Sequence, residues 1–260
     1  MAVSMNDLVT NFGLIALVAS FGVALSAGVV KGAVGFAMPM IMISGIGSFM
    51  PAEVAIAALI LPTLVTNFVQ AFANGLRHCW ASVKSFWRFI FALIVVIFIT
   101  AQTVTLLPQS VLFLAIGGPL VIFGTLQLAG WQIRFSRVKR NSIEWMMGSV
   151  SGFFGGLTGV WGPPLIMYLL AMNTPKIEQI RVQGVIYSIG SVILLSAHLN
   201  SGVMNEQTIP YSAAMIVPAV LGQFVGARIN ARLNQKLFRK ATLIVLVIAG
   251  FNLLRRGFLV

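Results

Sequence analysis

Ten apolar runs separated by short polar connectors organise the chain, at about 12–30, 36–48, 54–75, 86–106, 111–131, 143–157, 161–172, 180–199, 210–227 and 238–254. Most of the longer runs approach the ~20 residues that carry a helix across ~30 Å of hydrocarbon. Those at 36–48, 143–157 and 161–172 are too short to cross alone. The last two meet in Ser151–Leu165, SGFFGGLTGVWGPPL, where five glycines and two prolines break the apolar pattern. Gly costs about 1 kcal/mol and Pro about 3 kcal/mol inside a helix relative to Ala. A break at membrane depth persists only where protein or a water-filled cavity satisfies the freed backbone groups.

The broken stretch has a counterpart. Shifted by 124 positions it falls on Ala27–Ile41, AGVVKGAVGFAMPMI, with Gly152 on Gly28, Gly156 on Gly32, Gly159 on Gly35 and Pro163 on Pro39. Pro175 falls on Pro51 in the same register. Close helix packing through small-xxx-small contacts accounts for the first two glycine pairs. It does not account for prolines in register with them. The expectation is two homologous halves, 1–132 and 133–260, forming one integral membrane domain.

Charge sets the topology. The composition is 58% hydrophobic and only 8% charged, which excludes an ordinary soluble domain. The formal net charge of +12 does not imply nucleic acid, because basic residues of membrane proteins gather in cytoplasmic loops. If 143–172 crossed once, the basic connectors at 134–140 and 228–240 would lie on opposite faces. If it enters and returns, connectors 77–88, 134–140, 176–181 and 228–240 are all cytoplasmic, placing fourteen of seventeen basic residues inside. Arg255 and Arg256 then stand outside and Lys31 within the membrane. The fold expected is an all-α polytopic membrane protein of the cell (inner) membrane. It has two inverted repeats, each a broken-helix, re-entrant-like hairpin plus three transmembrane helices, a design that secondary transporters use. Cys79 is the single cysteine, so no disulfide framework or cysteine metal cluster is available. The first apolar run lacks a basic n-region and a small-residue cleavage site, and is expected to be retained.

Lys31 is the one charged residue deep in an apolar run, and no acidic residue sits at a matching depth. A buried cation without a protein counter-ion points to an anionic ligand; the alternative is a side chain that snorkels to the interface. Helices restarting near Phe36–Pro39 and Gly162–Pro164 would turn positive dipole ends toward such an anion. The candidate substrate-binding residues are Lys31, Gly32, Gly35 and Phe36 at the first break and Gly156, Thr158, Gly159 and Trp161 at the second. A polar stripe on the next span of each half adds Asn67 and Gln70, and Tyr187, Ser188 and Ser191. Interhelical hydrogen bonding is the plainer account of those stripes. No HExxH, P-loop, GxSxG or membrane-depth carboxylate pair is present. No catalytic activity, metal or cofactor is expected.

The motifs AGVVKGAVGFAMP and SGFFGGLTGVWGPPLIMYLL, with the tail PAVLGQFVGAR at Pro218–Arg228, resemble the sulfite exporter TauE/SafE family over nearly the whole chain. At the two tips the family's glycine cluster is replaced by Gly35-Phe36-Ala37-Met38 and Gly159-Val160-Trp161-Gly162. The resemblance implies a transporter, commonly an exporter, of small sulfur-containing oxyanions such as sulfite, sulfoacetate or other organosulfonates. A channel or uncoupled permease, and an intramembrane lipid-modifying enzyme, are the alternatives. The partners expected are a small anionic substrate and the lipid bilayer, with no nucleic acid. A coupling ion (H+ or Na+) and a homodimer stay open.

Overall fold

The computed structural model describes residues 13–259 apart from 74, 102–107, 132–138, 159–160, 173 and 233. Among the described residues all regular structure is helical. In the first half, α1 (Leu14–Val34), α2 (Met38–Ile46), α3 (Ala52–Phe72), α4 (Leu76–Ser85), α5 (Trp87–Ala101) and α6 (Gln109–Leu128) follow one another. The second half has α7 (Arg140–Thr158), α8 (Gly162–Ala171), α9 (Lys176–Asn200), α10 (Thr208–Ala214), α11 (Ile216–Arg232) and α12 (Gln235–Leu259). Four segments, Leu14–Val34, Ala52–Phe72, Ile177–Asn200 and Thr208–Arg232, are long and apolar enough to cross a membrane. The pair α4–α5, bent by 81°, makes a fifth if counted as one span. Large apolar side chains such as Ile15, Phe98, Val217 and Phe251 are exposed, as a surface facing lipid requires.

Local sequence explains where the helices start, stop and bend. Pro51, Pro108 and Pro175 precede α3, α6 and α9, extended at φ near −57° and supplying no N–H to an unfilled first turn. Pro62 lies inside α3, where its missing N–H frees the Ala58 carbonyl. Ser212 Oγ, from α10, donates to that carbonyl at 3.4 Å.

The helices pack through glycine. On α1, Gly28 and Gly32 lie against the α11 backbone, where an added Cβ would overlap the carbonyl oxygens of Ala219 and Gln223. Gly222 and Gly226 on α11 do the same to the Leu25 and Val29 carbonyls. In the second half Gly148 and Gly152 on α7 approach the Phe89 and Leu93 carbonyls of α5. Packing partners exchange under the 124-residue shift: α1 packs on α11 as α7 packs on α5, α5 packs on α9 as α11 packs on α3, and α3–α9 and α6–α12 pair across the halves.

The structure adds two features to that reading. Each broken segment pairs a long arm with a short one. The long arms α1 and α7 have 21 and 19 residues, the short arms α2 and α8 only 9 and 10. At 1.5 Å per residue the short arms reach about 14–15 Å, no more than half of the ~30 Å hydrocarbon core. The sequence hides this in α7, whose polar first turn, RNSIE, continues the helix below the apolar run. The connector 77–88 is also no loop. It contains the amphipathic α4, which exposes Leu76 and Trp80 beside Arg77 and Lys84. Arg88 lies over the Trp87 ring at 4.8 Å, and Lys84 over Trp80 at 5.5 Å. Tryptophan paired with cations is the composition of a membrane–water interface.

A candidate anion site between two broken helices

The first break is built by backbone conformation. Gly35 caps α1 in the left-handed region (φ 84°), its N–H bonded to the Lys31 carbonyl. Ala37 then precedes α2 with φ 76°, the one positive-φ non-glycine among the described residues. An L-residue held there carries strain of the order of 1–3 kcal/mol, which the surrounding packing must hold. Gly35 tolerates its conformation without cost, and its missing side chain leaves room for the Gln183 amide. Pro39 sits in the first turn of α2, so the free backbone donors of that turn come from Met38 and Met40. At the second break, α8 starts with Gly162-Pro163-Pro164, and Gly162 supplies the N–H that both prolines lack.

The two breaks meet around a small cavity. From the first come Lys31, Phe36, Ala37, Pro39 and Met40; from the second, Trp161 and Gly162; α3 adds Thr63 and Asn67, and α9 adds Tyr187. Its volume of about 20 Å³ holds roughly one water. An oxyanion therefore needs some displacement of these side chains to enter.

Lys31 is 2% exposed and its Nζ donates to Asn67 Oδ1. The amide nitrogen of Asn67 donates to the Tyr187 carbonyl at 3.0 Å and to Ser191 Oγ at 3.4 Å. One asparagine thus joins the ammonium of α1 to the backbone of α9. Lys31 carries the one formal charge among the cavity's described residues, and its partner is a neutral amide. Thr63 is 1% exposed, and its hydroxyl has no hydrogen-bond partner. Trp161 packs edge-on against Tyr187, with ring centroids 6.2 Å apart, and the Tyr187 hydroxyl donates to the Gly162 carbonyl at 3.3 Å.

Of the residues singled out from sequence, Lys31, Phe36, Asn67, Trp161 and Tyr187 line the cavity. Ser191 stands behind Asn67, and Gln70, bonded through Nε2 to the Ile180 carbonyl at 2.9 Å, stands beside Gly35. Gly32 serves the seam with α11, and Ser188 Oγ bonds within its own helix to Gly184 at 2.8 Å. Gly156 is buried within α7, and Thr158 is that helix's last residue. Gly159 lies outside the described residues. Thr63, one turn before Asn67 on α3, lines the cavity but was not assigned to the site from sequence. Gln183, fully buried with neither amide atom partnered, was missed. It lies in a charged helix start where polarity ordinarily means solvent.

A second, wider cavity of about 470 Å³ opens where the α4–α5 corner, the start of α7 and the α8–α9 junction converge, lined by Ser85, Arg140, Tyr168, Thr174 and Glu178 among others. Beneath it Glu144 is fully buried. It accepts hydrogen bonds from Arg140 Nε (2.7 Å) and the Tyr168 hydroxyl (3.0 Å), with Arg88 3.8 Å away. Arg140 also donates to the Ser85 carbonyl at 3.0 Å.

Helices long enough to span, an apolar exterior and a buried lysine define a multi-pass membrane protein with a buried cationic cavity. Its family follows from comparison with known proteins: the chain belongs to the sulfite exporter TauE/SafE family, whose model matches residues 20–253. That is a family of membrane transporters. Neither the curated proteins nor the solved structures compared with the chain gave a match.

Proposed function

We propose that this protein is a secondary transporter, working as an exporter, for small sulfur-containing oxyanions such as sulfite, sulfoacetate or other organosulfonates. The observation that carries the reading is Lys31, buried at the junction of two helix breaks with only a neutral amide for company. An uncompensated cation in a buried site is costly unless an anion visits it. The unpartnered Thr63 hydroxyl and the first-turn N–H groups of α2 are suited to oxyanion oxygens.

The transport cycle we infer is alternating access by two inverted repeats, 1–132 and 133–260, about the cavity. The exchange of packing partners under the 124-residue shift supports the duplication. Residues of the basic connectors 77–88, 134–140 and 176–181 gather around one polar cavity, which supports a common cytoplasmic face. The same reading puts 228–240 on that face and the protein in the cell (inner) membrane.

The test is flux in proteoliposomes with a panel of sulfite, sulfoacetate, other sulfonates, sulfate and carboxylates. Saturable flux of sulfur oxyanions, lost in Lys31→Met, is the expected result. Flux that is linear in concentration and indifferent to Lys31 would replace the carrier reading with a pore.

A further inference from the structure

The short helix α2 presents its N-terminal end to the cavity, and its buried side chains, Met38, Met40, Met42 and Ile43 among them, pack it into the core. Its far end is buried in the protein, so its last carbonyls need partners. The Ile43, Gly45 and Ile46 carbonyls accept from N–H groups of Gly47–Met50 in the turn that follows, and Ser44 finds its partner on α12. Asn252 Nδ2 donates to the Ser44 carbonyl at 3.2 Å and to Ser44 Oγ at 2.7 Å. One turn further along α12, Arg256 packs against Gly47, the C-cap of α2. A Cβ on Gly47 would collide with the guanidinium, so the glycine admits it. The Arg256 guanidinium lies over the Phe113 ring at 4.7 Å, and its buried Nη1 has no hydrogen-bond partner. A cation at this end of a helix is held by the partial negative charge of the carbonyls.

The second half anchors its short helix at the matching residue. Ser44 and Tyr168 are 124 positions apart, and Tyr168 on α8 is tied through its hydroxyl to Glu144. In both halves the far end of the short helix is thus held by a polar group from a long helix, at the same turn. Arg256 also stood out in the charge pattern as one of two basic residues on the side opposite the basic connectors. Arg255, its neighbour, is exposed.

We propose that Asn252 and Arg256 are positioning residues for the anion site, acting through α2 to keep its N-terminal end at the cavity and its dipole balanced. The proposal rests on the anion-transport reading above. Its test is the KM–kcat split for radiolabelled sulfite, sulfoacetate or sulfate, whichever the protein carries best, in proteoliposomes of full-length protein. Arg256→Met and Asn252→Leu should raise KM by about threefold to tenfold with kcat within about twofold. Arg256→Lys, which keeps the charge, should recover most of the loss, and Arg255→Ala should behave as wild type. Variants that lower only yield or melting temperature, with KM unchanged, overturn the positioning role. Should either fail to give monodisperse protein, Ser44→Ala carries the test: a raised KM supports the proposal and a wild-type KM overturns it. Lys31→Met, run in parallel, separates the two levels. Loss of saturation there with wild-type KM in the α12 variants removes the positioning role alone. Wild-type kinetics in Lys31→Met removes the anion site, and the positioning role with it.

Discussion

Replacing Asn67 by aspartate is the sharpest test of an anion held by Lys31. The change is nearly isosteric and leaves an oxygen where the Lys31 ammonium already donates. It converts a neutral partner into a permanent counter-ion. At about 4 Å and an effective dielectric of about 20, a unit charge pair is worth about 4 kcal/mol, or roughly three orders of magnitude in affinity. A built-in carboxylate cancels most of that attraction for an incoming anion, so KM should rise at least about 100-fold. The other oxygen replaces the nitrogen that donates to the Tyr187 carbonyl at 3.0 Å. Facing the Tyr187 carbonyl costs about 1–3 kcal/mol, which the new ion pair offsets. Folded protein should therefore still be obtained, and thermal melting with and without added sulfite should show the wild-type ligand shift abolished. A monodisperse Asn67→Asp protein with a KM within twofold of wild type would mean that Lys31 meets no substrate.

Four further outcomes are expected. Thr63→Val keeps the side-chain shape but removes the unpartnered hydroxyl; stability should be unchanged and KM should rise about fivefold, by the ~1 kcal/mol of one hydrogen bond. Gly28→Val puts a side chain into the Ala219 carbonyl, and size-exclusion profiles should show loss of monodisperse protein. Cysteine at Thr174, in a Cys79→Ala background, should be labelled by an impermeant maleimide only from the cytoplasmic side; labelling from outside would sink the assigned topology. Gly35→Leu imposes a side chain at φ 84° against the Gln183 amide, so flux per folded molecule should fall at least tenfold; Gly159→Leu is the matched substitution at the second tip.

The breaks were legible because glycine and proline act locally: the restart at Met38 with Pro39 in its first turn, and at Gly162 before two prolines, follow from residue type alone. Lys31 was legible because a cation is conspicuous in an apolar run. Contacts between distant segments were not. Asn67 and Tyr187 each lay on a visible polar stripe, but their bond spans 120 residues and no local period encodes it. Glu144 stands four residues after the basic connector 134–140, where a carboxylate ordinarily meets solvent, yet it is fully buried, because Arg140, Arg88 and Tyr168 reach it from three helices. The left-handed Ala37 carried no signal, since alanine ordinarily avoids that conformation and only the surrounding packing imposes it.

The glycine seam between α1 and α11 bears on how the protein is made. Gly28 and Gly222 interlock backbone to backbone, yet roughly 190 residues of chain lie between them. At about 5–20 residues per second, α1 waits for its partner for on the order of 10–40 seconds after it is synthesised. Throughout that interval its glycine face is open to lipid and any passing helix. Asn67 arrives early enough to quiet Lys31, but nothing closes the seam until α11 enters the bilayer. Helix α1 is therefore among the last elements to settle, and a truncation before Ile216 strands it without its mate.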